Sequence, residues 1–376
     1  MSLTQTVGPE EAPKSPPRAP KVGETVSPIL QEGALMDNIL DVRHDGFVFE
    51  CVEPYIQCHA ASIYELESGD VLCSWYVKTE DRPGGIALLG ARLAQGSYKW
   101  SQPSILVGLP QDRDQREFYN PLFLERAGLL RLLWVETDVA LTHETMALFR
   151  EGKHAFSVMY KESLDHGLTW TEPKALAVPP NTYLRNNIIQ LSSGELVLPV
   201  YDEIERQSFM LISRDGGLTW EESSHIMTPS GNIQPATVEL SDGRLMTYMR
   251  TRGFPVGQGG GSVWRAYSSD RGYSWSAPEP TEFPNPNSSI DMIRLANGDI
   301  ILAYNHSEQE RTPLNIAISR DEGNCWRWMS LEMGEGEFSY PSVVQDSNQD
   351  IHVVYTYRRK YEKHARIKHV VVEELE

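Results

Sequence analysis

The octapeptide Ser213-Arg-Asp-Gly-Gly-Leu-Thr-Trp220 is one of four segments in this chain that share the same key residues at the same spacing. The other copies begin at Ser163, Ser268 and Ser319, and all four share the pattern S-x-D-x-G-x-[T/S/C]-W. They recur at intervals of about 50 residues, a period at which repeats form propellers, solenoids or arrays. One copy would be a weak signal, whereas four copies are a strong one.

The octapeptide has the composition of a tight turn that leads into a strand. Its Asp carboxylate can accept backbone N–H bonds inside the turn, and its Gly can adopt a positive φ. The Trp then opens the next strand and supplies a large apolar anchor. We therefore expect these turns to be architectural, and we assign no catalysis to Asp165, Asp215, Asp270 or Asp321.

Between the octapeptides the chain repeats a second unit, a hairpin of two apolar strands around a Gly- or Asn-centred turn. After four of these hairpins come a third strand, an octapeptide turn and a fourth strand that opens with Trp. The complete unit therefore has four strands. The hairpins cover residues 59–75, 120–134, 185–199, 234–248, 288–304 and 340–355.

Six units of four strands predict an all-β fold, a six-bladed β-propeller. The sixth unit lacks an octapeptide, so we expect its outer strands to be Arg366–Val372 and, from the start of the chain, Phe47–Val52. A strand from each end in one blade would close the ring and remove its sheet edges. Because one blade cannot bury its own faces, residues 41–376 are predicted to be a single domain. The Pro-rich residues 1–40 are predicted to be a disordered or extended arm.

The chain of 376 residues is acidic, with 52 Asp and Glu against 34 Lys and Arg and a net charge of −18. This balance argues against nucleic acid or an anionic membrane surface as a partner, while a local Arg cluster can still bind an anionic sugar. No run of 18 apolar residues is present, so no membrane span is expected. The start of the sequence has no signal-peptide core, which favours a cytoplasmic location, or a secreted or periplasmic one if a leader has been removed.

The first polar residue of each hairpin is a candidate for the mouth of the central channel, because the innermost strand of each blade lines that channel. Six polar side chains at one mouth describe a binding site, and His, Arg and Tyr are more reactive than a hydrated rim requires. The simpler interpretation is that any propeller mouth is wet and polar. The openers are His59, Asn120, Arg185 with Asn186, Gln234, Asn287 with Ser288, and Tyr340.

A second ring of candidates lies where the hairpins end, on the same face as the openers. Three Arg around the mouth, Arg185, Arg250 and Arg311, favour a carboxylate or sulfate ligand because guanidinium groups match planar anions. The alternative for each Arg is a salt bridge with one of the many acidic residues. No CxxC pair or metal-ligand spacing is present, so neither a metal nor an organic cofactor is expected. The second ring also contains Asp81, Glu203 and Tyr304.

The octapeptide resembles the Asp-box, or bacterial neuraminidase repeat, and with the six hairpins it makes residues 45–372 similar to the sialidase superfamily. The resemblance implies a glycoside hydrolase that removes a terminal acidic sugar, such as sialic acid, from a glycan. In that family three Arg bind the sugar carboxylate, a Tyr attacks with the help of a Glu, and an Asp is the acid/base. By position, Tyr340 resembles the nucleophile and Asp81 the acid/base. Arg250 and Arg311 resemble the second and third Arg.

Two positions depart from the family pattern. The family opens its first inner strand with Arg-Ile-Pro, where this chain has His59-Ala-Ala, and Gln234 stands in place of the Glu that assists the Tyr. A Gln cannot take a proton from a phenol, whose ordinary pKa is about 10. Glu203 and Glu337 are nearby carboxylates, but neither stands at the matching place.

These departures keep two other functions open. Related sialidase-like propellers include lyases that cleave at uronic acids and rhamnose-releasing glycosidases, both dependent on His, and His59 fits that chemistry. A lyase needs Arg, Asn or Gln to neutralise the uronate carboxylate and a His or Tyr to remove the C5 proton. The other alternative is a non-catalytic glycan-binding propeller. The predicted catalytic residues are Tyr340, His59, Asp81 and Glu203, and the predicted substrate-binding residues are Arg250, Arg311, Arg185, Gln234, Asn120, Asn287 and Tyr304.

Overall fold

The computed structural model describes residues 29–30, 40–80, 84–108, 116–142, 144–251 and 261–375. These residues form strands almost throughout, with one short helix, α1, inserted in the second unit. Of the predicted N-terminal arm, residues 1–28 and 31–39 lie outside the described residues. No helix in the described part of the chain is long and apolar enough to cross a membrane.

The first part of the chain forms the first two blades. Blade 1 consists of β3 to β6 and blade 2 of β7 to β10, each in chain order from the innermost strand outward. The elements are β1 (Ile29–Leu30), β2 (Leu40–Phe49), β3 (Tyr55–Glu65), β4 (Val71–Thr79), β5 (Ala87–Leu93), β6 (Ser104–Val107), β7 (Glu117–Arg126), β8 (Leu129–Thr137), α1 (Thr145–Arg150), β9 (Ser157–Ser163) and β10 (Lys174–Ala175).

The remaining strands form four further blades. Blade 3 has a split inner strand, β11 and β12, followed by β13 to β15; blade 4 consists of β16 to β19, and blade 5 of β20 to β23. The elements are β11 (Thr182–Leu184), β12 (Ile189–Gln190), β13 (Leu196–Asp202), β14 (Gln207–Ser213), β15 (Glu221–Glu222), β16 (Asn232–Glu239), β17 (Leu245–Thr251), β18 (Gly261–Ser268), β19 (Glu279–Asn285), β20 (Asp291–Arg294), β21 (Ile300–Asn305), β22 (Leu314–Ser319), β23 (Cys325–Glu332), β24 (Gly336–Gln345), β25 (Ile351–Arg359) and β26 (Arg366–Glu374).

Neighbouring sheets contact one another in cyclic order, mostly through their inner strands, and β24 of blade 6 packs against β3 of blade 1. The strands within each blade pair in antiparallel fashion, and apolar side chains from facing sheets fill the space between blades. The ring buries both faces of every blade, which no blade could do alone. The prediction of a six-bladed, all-β propeller is confirmed.

Blade 6 combines strands from both ends of the chain, as predicted, but its N-terminal strand lies earlier than expected. The outermost strand is β2, Leu40–Phe49, which pairs with β26 in antiparallel register, and Val52 is 58 % exposed beyond its end. The register shifts between Val42 and His44 and again after Phe47. These irregularities break the alternation from which the sequence-based bounds were drawn. A further pair of residues, Ile29–Leu30, adds to β23 of blade 5 as a parallel strand.

The octapeptide turns have the architecture that the sequence predicts. In the second copy, Asp215 Oδ1 accepts hydrogen bonds from the Ser213 hydroxyl at 2.8 Å and from the N–H of Thr219 at 2.9 Å. Its Oδ2 accepts from the Thr219 hydroxyl at 2.6 Å, and this bond, followed by the backbone bond, lowers the pKa of Asp215 below its ordinary range. Gly217 has a φ of 87°. Each of these bonds spans four residues or fewer, so the turn is a local device.

Candidate active site at the channel mouth

The inner strands carry β-bulges near the mouth of the channel. In blades 1, 2, 4 and 6 the first strand gains one residue against the second, and within each bulge a residue other than glycine has a positive φ. Bulges re-aim side chains, and such a backbone conformation costs about 1–3 kcal/mol per residue. The mouth therefore contains a cluster of residues with strained backbone. The strained residues are Ala60 (φ 52°), Asn120 (46°), Gln234 (55°) and Tyr340 (57°), with Asn287 (58°) in blade 5.

The bulge in blade 1 corrects the placement of His59. The strained residue there is Ala60, so a methyl group takes the place that Gln234 and Tyr340 occupy in their blades. His59 precedes the bulge, is 6 % exposed, and has its Nδ1 2.8 Å from the Thr356 hydroxyl. Its ring centroid lies 4.2 Å from that of Tyr340, and burial lowers the pKa of His59 well below its ordinary value. His59 is therefore a neutral side chain packed against Tyr340, outside the cavity lining.

The bulges and the ends of the second strands together enclose a cavity of about 260 Å³, which we call the Tyr340 cavity. Most of the predicted site residues line it, together with four tyrosines that the sequence did not single out. The lining residues are Tyr76, Tyr119, Asn120, Tyr183, Tyr201, Glu203, Ile233, Gln234, Arg250, Asn287, Arg311 and Tyr340.

Arg250, near the end of β17, is directed at the phenol of Tyr340. Its Nη1 donates to Gln234 Oε1 at 2.7 Å and to Tyr340 Oη at 2.9 Å. Its Nη2 donates to the backbone oxygen of Asn287 at 2.7 Å and also to the side-chain oxygen of Asn287. Because each terminal nitrogen carries two hydrogens, all four terminal N–H groups have acceptors within the protein. Arg250 is therefore arranged around Tyr340.

Arg311, in the loop between β21 and β22, uses only part of its hydrogen-bond donors within the described residues. Its Nη1 donates to Glu337 Oε1 at 2.8 Å and its Nη2 to the Asn287 carbonyl at 3.2 Å. Its buried Nε has no hydrogen-bond partner among the described residues. Burial favours the neutral acid at Glu337, but the charge of Arg311 keeps the pKa of Glu337 below its ordinary value. Glu337 is thus an ionised partner of Arg311 and is not aimed at the phenol.

Arg185 lies beneath the cavity and does not line it. Its side chain is bound from all sides: Nε donates to the Ser289 hydroxyl at 3.0 Å and Nη1 to the Ala61 carbonyl at 2.9 Å. Its Nη2 donates to the carbonyls of Tyr340 and Pro341, both at 2.8 Å. The sequence placed Arg185 among the substrate-binding residues, but these bonds make it a residue that fixes the backbone under Tyr340. The split of the inner strand of blade 3 turns it inward.

Tyr340 has an unusual electrostatic environment. Partial removal from water opposes ionisation of its phenol, but the charges of Arg250 and Arg311 outweigh this effect. Together with hydrogen bonds from Arg250 and Gln234 they lower the pKa of Tyr340 from about 10 to about 7. The two arginines and the amide of Gln234 therefore favour the ionised form of this phenol.

The four additional tyrosines form a wall on the side of blades 1 to 3. The ring centroids of Tyr76 and Tyr119 are 5.2 Å apart, those of Tyr119 and Tyr183 6.2 Å, and those of Tyr183 and Tyr201 5.4 Å. Burial raises the pKa of all four well above the ordinary value, so they stay protonated where Tyr340 ionises. Sequence analysis missed them because tyrosines in apolar strands resemble core residues. The available signal was proximity: Tyr119 directly precedes the opener Asn120.

The remaining predicted residues have three different outcomes. Glu203 lines the Tyr340 cavity and carries the carboxylate among its described lining residues. Asp81 lies outside the described residues. Tyr304 does not line the cavity: it is fully buried in the core between blades, with its ring 4.9 Å from that of Phe283 and its hydroxyl 2.7 Å from His306 Nδ1. Its placement among the binding residues is therefore corrected.

A second, larger cavity of about 720 Å³ adjoins the first between blades 5 and 6. Arg311 contributes to the linings of both cavities. Tyr361, 90 % exposed, and Arg358 stand at the outer side of this larger cavity. The mouth consequently has a small polar cavity with a larger groove beside it.

A six-bladed propeller with Asp-box turns and a polar cavity at the channel mouth belongs to the sialidase-like class of folds. Residues 69–353 match the BNR repeat-like domain, and the chain therefore belongs to that family. The match covers four of the six hairpins in full, the first and the last hairpin in part, and all four octapeptides.

Solved structures share this fold at low sequence identity. A protein of unknown function from Dyadobacter fermentans superposes with a TM-score of 0.73 at 17% identity, over 90% of this chain and 100% of that chain. The K499G mutant of NanB sialidase from Streptococcus pneumoniae superposes with a TM-score of 0.68 at 16% identity, over 84% of this chain and 68% of that chain. The intramolecular trans-sialidase from Ruminococcus gnavus superposes with a TM-score of 0.66 at 15% identity, over 85% of this chain and 94% of that chain. At these identities the likeness shows the fold alone.

Proposed function

We propose that this protein is a carbohydrate-active enzyme that hydrolyses a terminal acidic sugar, such as sialic acid, from a glycan bound in the Tyr340 cavity. The observation that carries the proposal is the contact of 2.9 Å between Arg250 Nη1 and Tyr340 Oη inside a polar cavity at the channel mouth. A phenol held by a cation is a competent nucleophile, and a tyrosine nucleophile is the exception that sialidases make among glycosidases. The solved sialidases of the same fold support this assignment.

The cavity offers a distinct role for each of its charged residues. Tyr340 Oη attacks the anomeric carbon while the bond to the leaving oxygen breaks, and a carboxylic acid gives that oxygen its proton. Asp81 is the candidate acid by resemblance, and Glu203 is the candidate within the described cavity lining. Water then cleaves the glycosyl–tyrosine bond, with the same carboxylate taking its proton.

Arg311 is the proposed contact for the sugar carboxylate. Its Nε is buried and unpaired among the described residues, and an unsatisfied buried donor is costly until a ligand accepts its hydrogen. The adjoining groove of about 720 Å³ has room for the part of the glycan beyond the terminal sugar. The proposed substrate therefore has an acidic terminal residue in the small cavity and its aglycone in the groove.

Turnover of a fluorogenic sialic-acid glycoside by the wild-type protein and by Tyr340→Phe tests the proposal. The wild type should release the fluorophore, and the variant should lose about 10²–10⁴-fold in kcat. Tyr355→Phe, a tyrosine buried in blade 6 away from the cavity lining, is the matched control and should retain turnover. Absence of wild-type turnover on acidic-sugar glycosides would rule out this activity, and binding without turnover would identify a glycan-binding propeller.

A uronate-directed lyase is the second candidate, and the low pKa of Tyr340 favours it. A phenolate beside Arg311 could remove a C5 proton while the Arg neutralises the uronate carboxylate, and the bond at C4 then breaks with release of the leaving oxygen. His59 serves this chemistry less well than the sequence predicted, because it is buried behind Tyr340. The lyase leaves an unsaturated sugar with ultraviolet absorption, whereas a hydrolase, including a rhamnose-releasing one, does not.

A further inference from the structure

The neighbours of the Tyr340 phenol oxygen are a guanidinium group and a side-chain amide. A carboxylate that could act as a base for the phenol would be expected there. Gln234, not a carboxylate, shares Arg250 Nη1 with this oxygen, at 2.7 Å and 2.9 Å respectively. The nearest acidic side chain described on the same strand, Glu337, is held by Arg311 at 2.8 Å and by Arg358 at 3.0 Å. No described hydrogen bond therefore leads from the phenol to a carboxylate.

Three guanidinium groups lie close to the ring of Tyr340. The central carbons of Arg311, Arg185 and Arg250 lie 5.2, 5.3 and 5.6 Å from its centroid. Two of these residues are nearly inaccessible, Arg185 at 1 % and Arg250 at 3 % exposure. Their charges are screened little by solvent and favour an anion at this position.

We propose that Arg250, oriented by Gln234 and Asn287, holds Tyr340 as a phenolate in the resting protein, so that its hydroxyl needs no general base. The phenolic proton passes to water before a ligand binds, and the positive charge of Arg250 remains beside the oxygen. Gln234 is suited to this role because its amide oxygen orients Arg250 without neutralising it. A glutamate at the same place would compete with the phenolate for the guanidinium group.

The substitution of Gln234 for a carboxylate is therefore part of a different way to activate the tyrosine. This inference concerns the ionisation of Tyr340 in the free protein and goes beyond the proposed function, which depends on Tyr340 as the reacting group. The titratable and charged groups that face Tyr340 or line its cavity include the cations Arg185, Arg250, Arg311 and Lys78, the carboxylates Glu203 and Glu337, and the side chains of His59, Tyr76, Tyr119, Tyr183 and Tyr201.

The test is a near-ultraviolet titration of tyrosinate absorbance in the ligand-free protein. The difference between the wild type and Tyr340→Phe should contain one ionisation with a midpoint near pH 7, as the pKa of about 7 requires. The four wall tyrosines stay protonated in this range because burial raises their pKa values. A difference spectrum without any step below about pH 9 would overturn the inference.

Variants of the two supporting residues complete the experiment. Arg250→Met should move the midpoint upward by about one to three pH units, and Arg250→Lys by less, because it keeps the charge. Gln234→Glu should also raise it, and an unchanged or lower midpoint in Gln234→Glu would contradict the orienting role. Arg244→Met, at an exposed Arg paired with Asp242, is the matched control and should leave the midpoint unchanged. Since the readout is independent of turnover, failure of the proposed sialidase activity and failure of this inference can be told apart.

Discussion

The octapeptide turns and the channel mouth lie at opposite ends of the strands and are built in opposite ways. In the turns, an Asp–Ser bond of 2.7–2.9 Å recurs in all four copies, and the bonds of each Asp carboxylate within its turn join residues at most four positions apart. At the mouth, Arg185 bonds to residues more than a hundred positions away, and each opener has its own identity. A repeated local device stabilises the blades, whereas a single long-range network forms the site.

The two regions also differ in which residues have a strained backbone conformation. Every turn has a glycine with a positive φ, for example Gly217 at 87°, where it is inexpensive, and three turns also have one non-glycine residue with a positive φ, namely His166, Arg271 or Glu322. At the mouth it falls on Gln234 and Tyr340, where it costs about 1–3 kcal/mol for each residue. Strain that a fold retains on chemically capable side chains is typical of a functional site.

The largest effect is expected from breaking the network under the mouth. Arg185→Met leaves the carbonyls of Tyr340 and Pro341 without their donor and leaves buried Asp291 without its positive neighbour. We expect a loss of about 3–5 kcal/mol in the free energy of unfolding, measured by urea denaturation. Arg244→Met, on the surface, should change it by about 0.5 kcal/mol or less. A loss at Arg185 no larger than this control would show that the network does not support the mouth.

The next effect concerns the arginine that faces the cavity. Arg311→Met should lower kcat/KM on an acidic-sugar glycoside by about 10²-fold, because it removes the proposed carboxylate contact. Arg320→Met, which removes an exposed Arg paired with Glu374 far from the cavity lining, should leave kcat/KM unchanged. Equal losses in the two variants would argue against a carboxylate contact at Arg311.

The pH dependence of kcat/KM separates the mouth from the turns. Tyr340 must be ionised to attack, and its pKa is about 7, so kcat/KM should rise about tenfold per pH unit below pH 7 and level off above it. Arg250→Lys should move this limb to higher pH, while Asp215→Asn in an octapeptide turn should not move it. If Arg250→Lys did not shift the acidic limb of the kcat/KM profile, that limb would report the ionisation of a group other than Tyr340.

The smallest effect is expected at a turn. A Cβ at Gly217 would lie 3.1 Å from Leu124 Cδ2 and 3.1 Å from Arg131 Nη1, whereas one at Gly216 would have no heavy atom within 4 Å. Both glycines have a positive φ, of 87° and 75°. Gly217→Ala should therefore lower the free energy of unfolding by about 1–3 kcal/mol, and Gly216→Ala by less. The midpoint of the Tyr340 titration should be the same in both variants; a shift would couple the turns to the mouth.

The sequence predicted what repeats and what is local. The four octapeptides and six hairpins were enough for the six-bladed propeller and for the contribution of both chain ends to blade 6. They also brought Gln234, Arg250 and Arg311 to the same cavity as Tyr340. These residues were found because each begins or follows an apolar hairpin, and the topology returns both positions to one face.

Features that depend on one inserted residue or on distant partners could not be predicted from the sequence. The bulge in blade 1 places Ala60 where a mouth residue was expected and moves His59 against Tyr340. The inward turn of Arg185 depends on carbonyls from other blades, which no local pattern reveals. Likewise, the effect of Gln234 becomes visible only when Arg250 is seen to bridge it to the phenol.

The central claim is that Tyr340 is the reacting residue of an enzyme for acidic sugars. Its most direct test is mass spectrometry of the protein after incubation with a fluorinated sialoside, in which fluorine next to the anomeric carbon slows release of a glycosyl–enzyme bond. One added sugar is expected on the peptide that contains Tyr340 and none in Tyr340→Phe. Turnover of the unfluorinated sialoside without any adduct at Tyr340, or an adduct on another residue, would contradict it.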